Sequence, residues 1–221
     1  MSAAARRLWT VITVLVLFCV GFGLYVGIWG VNQPPTAAAQ QTPAGAHLYI
    51  ATVASAETND PHPTWVSYYS VNASSQHWVH ATTYTVPANS VVTVTIYQYD
   101  GNSGLRNPFI AQASGTVGGN FLLNGKPTQA INPDNASHIF AIPELGVTVP
   151  LQGISDNAKN PCGNAPCSLS QDHNTITFKI RTGKPGLFRW QCFVPCAAGY
   201  IYGFGGPMQT VGYMDGFIKV V

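Results

Sequence analysis

Four cysteines in the C-terminal part of the chain fall into two closely spaced pairs. Cys162 and Cys167 are five positions apart, and Cys192 and Cys196 are four positions apart. Thiolates at such spacings can coordinate a soft metal ion, and in an oxidising compartment they can instead close into disulfides. Four cysteines allow three pairings, and spacing does not choose among them. All four residues are therefore candidates for disulfides, and a metal site stays open beside that interpretation.

Either chemistry needs a rigid scaffold, and the sequence from His47 onward predicts one built from β-strands. Short β-branched and aromatic segments recur there, and Val92, Val94 and Ile96 alternate with more polar residues, as in a half-buried strand. The eight strand candidates cover residues 47–53, 65–71, 81–86, 90–97, 138–142, 175–180, 186–190 and 216–221. This pattern predicts an all-β fold, a sandwich with Greek-key connections. Residues 100–137 and 151–174 are too long for hairpin turns, and loops of that length usually serve a function or an interface.

The N-terminal part predicts a membrane anchor. Residues 8–31 carry no charge, and a helix of that length spans the ~30 Å hydrocarbon layer of a bilayer. Arg6 and Arg7 precede the apolar run and no basic residue follows before Arg106, which predicts a cytoplasmic N-terminus. A cleaved signal peptide is the alternative, but its apolar core is only about 7–15 residues long.

The predicted organisation therefore has three parts. Residues 1–31 form the cytoplasmic start and the transmembrane anchor. Residues 32–46 form a linker rich in Pro, Ala, Gln and Thr, and residues 47–221 form an extracytoplasmic domain. The expected localisation is that of a single-pass membrane protein.

Composition and motifs exclude two classes of function. Only 8% of the residues are charged, and the eight basic residues beyond the two N-terminal arginines are balanced by eight acidic ones. A neutral domain without a basic stripe has no electrostatic footprint for nucleic acid. The chain also lacks a nucleophile elbow, a phosphate-binding loop and an HExxH motif, so a stand-alone hydrolytic enzyme is set aside.

Four segments resemble the cupredoxin superfamily, and in particular the CuA domain of cytochrome c oxidase subunit II. Residues 84–96 (YTVPANSVVTVTI) resemble the strand–turn–strand opening of the fold. Residues 138–146 (HIFAIPELG) are similar to the segment that carries the first histidine ligand of that subunit. Residues 185–196 (PGLFRWQCFVPC) are similar to the start of its ligand loop, and residues 212–220 (GYMDGFIKV) resemble the close of many cupredoxins.

The resemblance implies a copper site with one altered position. The residues that match ligand positions of the family are His138, Cys192, Val194 through its carbonyl, Cys196, and either Met208 or Met214. The family's second histidine is missing, because Tyr200 stands in its place, and no histidine follows His173. His173 precedes a predicted strand and is a candidate replacement. Residues 200–206, rich in Tyr and Gly, are predicted to cover the copper end of the sandwich.

Two functions follow as hypotheses. In the first, the chain is a membrane-anchored, cupredoxin-like subunit that transfers electrons through an altered CuA copper site in a respiratory or oxidase complex. Its partners would be the membrane, other membrane subunits of that complex and a redox protein. In the second, the domain has lost copper and is a structural or accessory subunit of a membrane or cell-surface assembly. Disulfides would then stabilise the domain. Both favour an electron-transfer or accessory subunit over a stand-alone enzyme.

Overall fold

The structure, a computed structural model, describes residues 2–31, 35–56, 64–196 and 206–221. It divides into two units, residues 1–33 and residues 34–221. The first unit contains the helix α1 (Ala3–Val31). Within α1, Ala3–Gly27 is long and apolar enough to cross a membrane, with a mean hydropathy of 2.3. Large apolar side chains are exposed from Leu8 to Val26. The predicted apolar helix is thus confirmed, and it begins five residues earlier than the uncharged run.

The second unit is built from strands. The described residues form fourteen strands, namely β1 (Thr36–Ala38), β2 (Gln40–Thr42), β3 (Gly45–Val53), β4 (Ser67–Val71), β5 (Trp78–Val79), β6 (Thr83–Val86), β7 (Val91–Gln98), β8 (Phe121–Leu123), β9 (Lys126–Thr128), β10 (Ala136–Ile142), β11 (Val147–Gln152), β12 (Asn174–Arg181), β13 (Gly186–Gln191) and β14 (Asp215–Val220). Each of the eight predicted strands has a counterpart among them.

The strands form two sheets that pack face to face. One sheet has the order β1-β6-β14-β13-β10-β11, and the other has the order β5-β4-β3-β7-β12-β8-β9 with β2 beside β3. The chain leaves the first sheet after β11, adds β12 to the second sheet and returns as β13 next to β10, which is a Greek-key crossover. The predicted all-β Greek-key sandwich and the predicted N-terminal apolar helix are both confirmed among the described residues.

The core between the sheets is centred on Trp190. Its ring lies 4.6 Å from that of Tyr68 and 5.0 Å from that of Phe140, measured between centroids. The indole Nε1 of Trp190 donates a hydrogen bond to the carbonyl oxygen of Thr82 (2.8 Å). Because β13 ends one residue after Trp190, this anchor also fixes the place where the ligand loop begins.

Two segments predicted as irregular are partly regular. The linker predicted over residues 32–46 does not hold for residues 36–42, because β1 pairs with β6 and β2 pairs with β3. The stretch 100–137 contains the short hairpin β8–β9. Each of these strands is three residues long, which is too short for a periodic pattern to mark it in the sequence.

The second long stretch, 151–174, packs on the sandwich itself. Cys162 and Cys167 form a disulfide. Both are buried in a second apolar cluster that includes Tyr69, Tyr99 and Tyr213. Much of this stretch therefore has a structural role.

Candidate metal centre

His138 comes from β10, which lies between β11 and β13 in the first sheet. The pairing of β10 with β11 shifts register between Ala136 and His138. Such irregularities bend a strand and redirect its side chains. The His138 side chain is buried, with 1% of its surface exposed.

The two cysteines come from the segment that follows β13. The Cys192 N–H donates to the Met214 carbonyl (3.0 Å), which continues the β13–β14 pairing by one residue. The Cys196 N–H donates to the Val194 carbonyl (2.8 Å) and closes a tight turn. This turn brings the two cysteine sulfurs to 3.7 Å, and both are free thiols.

The structure brings the side chains of His138, Cys192 and Cys196 together. Ligand atoms of His138, Cys192 and Cys196 all lie within 4.8 Å of one another. The His138 Nδ1 is 3.9 Å from the Cys192 Sγ, and the Val194 carbonyl oxygen is 3.7 Å from the same sulfur. Two thiolates bound to one metal ion at about 2.3 Å in tetrahedral geometry lie roughly 3.8 Å apart. The observed separation of the sulfurs therefore fits a metal ion, and the imidazole–thiolate donor set is one that copper accepts.

The two candidate methionines, Met208 and Met214, have different surroundings in the structure. The Met208 Sδ lies 3.2 Å from the Cys196 Sγ. Met208 sits in a single 3₁₀ turn, Gly206–Gln209, and the Gln191 side chain donates to its carbonyl (2.6 Å). Met214 is equally buried, and its carbonyl accepts the backbone hydrogen bond from Cys192. The Met208 thioether therefore lies beside the Cys196 thiol.

An acidic residue that the sequence reasoning missed also reaches the centre. The Asp100 Oδ2 lies 2.9 Å from the His138 Nε2. Asp100 follows β7 by two residues, at the end of the sandwich where β10 begins. A carboxylate just beyond a strand end, followed by Gly101, is a signal that could have drawn attention to it.

The buried groups polarise one another. Burial opposes the charged form of His138, but Asp100 and Cys192 outweigh that effect and raise the pKa of His138 to about 9. Burial likewise opposes the Cys192 thiolate, yet hydrogen bonds from Cys196 and His138 bring the pKa of Cys192 below its usual value. The hydrogen bond with Cys192 and burial raise the pKa of the Cys196 thiol. The Cys192 sulfur is therefore ready to bind a cation as a thiolate. The Cys196 sulfur becomes ready when a bound cation neutralises the Cys192 thiolate.

A cleft of about 350 Å³ adjoins the centre among the described residues. Asp100, His138 and Cys196 line it, together with residues 101–103, Ser137 and Pro195. Most of these lining residues are small or polar, and Cys196 is the cysteine that borders the cleft.

Three other sequence-based candidates lie elsewhere. Cys162 and Cys167 are bonded to each other in the second apolar cluster, so they supply no thiolate to the centre. His173 packs against Tyr97 and Tyr99 and is not part of the metal-ligating group found among the described residues. The predicted cover at residues 200–206 lies outside the described residues except for Gly206.

Comparisons with known proteins give a weak structural likeness. No protein-family profile matches the sequence, and no curated protein sequence does. A structure of the copper protein rusticyanin is 15% identical, with a TM-score of 0.33, and the match covers 84% of this chain and 82% of that one. Rusticyanin from Thiobacillus ferrooxidans is 14% identical with a TM-score of 0.34 over the same shares, and a reduced rusticyanin is 16% identical with a TM-score of 0.32 over 84% of each chain. Likeness at this level bears on neither the metal nor the partner of this chain.

Proposed function

We propose that this chain is a membrane-anchored copper protein of the cupredoxin superfamily that transfers electrons through an altered CuA-type site. His138, Cys192, Cys196 and Met208 would hold the copper, with the Val194 carbonyl beside them. The single observation that carries the proposal is the convergence of His138 and the two free cysteines, whose ligand atoms lie within 4.8 Å of one another.

The surroundings of these residues suit electron transfer. Copper, when bound, supplies a one-electron change of oxidation state. His138 and Cys192 are buried, and two strands and a hydrogen-bonded turn hold them in place. A scaffold that moves little keeps the ligand positions the same in both oxidation states, which lowers the reorganisation that electron transfer requires.

The position of the missing histidine makes the site an altered one. A standard CuA centre has two histidines, and Tyr200 stands where the second would be. This difference favours the alternative hypothesis of a copper-free accessory subunit. The state of the cysteines opposes it, because Cys192 and Cys196 are free in the structure and only the pair Cys162–Cys167 is bonded.

The proposal includes the membrane anchor and the side of the membrane on which the domain lies. The apolar helix and the two arginines before its uncharged run support a cytoplasmic N-terminus and an extracytoplasmic domain. A copper protein anchored in this way would exchange electrons with membrane subunits of a respiratory-type complex or with a redox protein.

The test is a copper titration of the full-length protein in detergent, followed by visible absorption. We expect near-stoichiometric binding and a thiolate-to-copper band that is abolished in Cys192→Ser. The matched control is Cys19→Ser, because Cys19 is a free cysteine in the apolar helix and its loss should leave the band unchanged. A second control compares His138→Gln with His77→Gln, of which only the first should change the spectrum.

A thiol count distinguishes the alternative. The denatured, metal-free protein should contain three free thiols, from Cys19, Cys192 and Cys196. A single free thiol together with no copper binding would show that the second pair is also a disulfide. That result would replace the copper proposal with the accessory-subunit hypothesis.

A further inference from the structure

Asp100 is the polar residue in closest contact with the buried face of His138. Its two carboxylate oxygens have different partners. Oδ2 accepts from the His138 Nε2 at 2.9 Å, and Oδ1 accepts from the Gly101 N–H at 2.7 Å. The Asp100 side chain is 25% exposed whereas the His138 side chain is 1% exposed, so Asp100 is the more solvent-accessible member of the pair, and both border the cleft.

The backbone around Asp100 is fixed, and its carboxylate is therefore held in place. Its carbonyl accepts from the Ile154 N–H (2.9 Å), and Gly101 forms a parallel bridge with Ile154. The two segments approach so closely that a Cβ on Gly153 would lie 2.5 Å from the Gly101 carbonyl carbon. Asp100 is therefore attached to a neighbouring segment that does not belong to the ligand loop.

The contact decides which nitrogen of His138 can bind a metal ion. A carboxylate at Nε2 requires a proton on that nitrogen, since two acceptors cannot share a hydrogen bond without one. Nδ1 is then the nitrogen that can exchange its proton for a metal ion, and it is the one that faces the Cys192 sulfur at 3.9 Å. A carboxylate behind a ligating histidine fixes the ring orientation and makes the histidine a stronger ligand.

We propose that Asp100 is the positioning residue of the copper site. It holds His138 with Nδ1 toward the two thiolates, and its negative charge stabilises the oxidised form of the centre. This inference rests on the proposed function and adds a residue that none of the matched ligand segments contains.

The experiment compares Asp100→Asn, Asp100→Glu and the control Asp156→Asn in the full-length, copper-loaded protein in detergent. Asp156 is an exposed carboxylate outside the cleft. Asp100→Asn should weaken copper binding by about 10- to 100-fold and raise the reduction potential, because a negative charge beside the oxidised centre is lost. Asp100→Glu should keep part of the wild-type copper affinity and reduction potential. Asp156→Asn should change neither the affinity nor the potential. Wild-type affinity and potential in Asp100→Asn would overturn the inference.

A metal-free measurement separates this inference from the proposed function. In protein labelled with ¹⁵N-histidine, the His138 Nε2 proton should appear as a hydrogen-bonded resonance in the wild type and disappear in Asp100→Ala. Absence of copper binding in the wild type would refute the proposed function, while this resonance would still report on Asp100. An unchanged resonance in Asp100→Ala would refute the positioning role even if copper binds.

Discussion

Gly216 in β14 has no space for a side chain, and we predict that Gly216→Ala severely destabilises the domain. A Cβ at this position would lie 1.9 Å from the Thr82 carbonyl oxygen and 2.7 Å from the Trp190 Nε1. That carbonyl accepts hydrogen bonds from the Trp190 indole (2.8 Å) and from the Phe217 N–H (3.0 Å). No adjustment of the new methyl group avoids the contact, because the obstacle is backbone.

The magnitude follows from these contacts. Overpacking in a well-packed core costs about 1–3 kcal/mol. The displaced Thr82 carbonyl also loses good geometry with buried donors, at about 1–3 kcal/mol for each group left unsatisfied. We therefore expect a decrease of roughly 2–6 kcal/mol in the free energy of unfolding.

The assay is urea unfolding of the full-length protein in detergent, followed by tryptophan fluorescence. Gly163→Ala is the matched control, because nothing lies within 4 Å of a Cβ built at Gly163 and its φ is not positive. The control should be neutral or slightly stabilising. A decrease below about 1 kcal/mol for Gly216→Ala would refute the close approach of β6, β13 and β14 on which the position of the ligand loop depends.

Three further predictions concern the centre, its supporting ion pair and the anchor. Met208→Leu should raise the reduction potential of the copper-loaded protein more than Met214→Leu does, since the Met208 sulfur lies 3.2 Å from the Cys196 sulfur. Both substitutions keep the side-chain volume, and equal shifts by spectroelectrochemistry would contradict the assignment. Arg189→Ala should lower the free energy of unfolding by about 2–3 kcal/mol, because it leaves the fully buried Asp215 carboxylate without its cation. The loss is smaller than for a fully buried pair because the guanidinium is half exposed. A change within 0.5 kcal/mol in urea unfolding would contradict this expectation. Deletion of residues 1–31 should release a soluble, folded domain from membranes, and a deletion variant that resists a salt wash in a flotation assay would show that anchoring lies elsewhere too.

The strands that hold the site could be predicted because each long strand carries its own pattern. β7 alternates Val92, Val94 and Ile96 with Thr and Tyr, and this alternation is a property of a strand with one face in the core. β11 escaped prediction because it is buried at four of six positions and contains Pro150, so it shows neither alternation nor an uninterrupted apolar run. Short strands such as β1 and β8 depend on pairing partners far away in sequence.

The centre was predictable only as far as a local motif could indicate it. The resemblance around His138 and around Cys192 and Cys196 identified three residues that the fold does bring together. Local sequence could not choose between Met208 and Met214, because that choice depends on how the chain returns to the sheet after the ligand loop. Asp100 was missed for the same reason, since its contact with His138 exists only once β7 and β10 are packed in opposite sheets.

The most direct test of the account is X-ray absorption at the copper edge of the full-length, copper-loaded protein. We expect sulfur scatterers together with an imidazole nitrogen around the metal, and their replacement by nitrogen and oxygen scatterers alone in the double variant Cys192→Ser, Cys196→Ser. A wild-type spectrum without sulfur scatterers would contradict the central claim, because copper would then be bound somewhere other than at His138, Cys192 and Cys196.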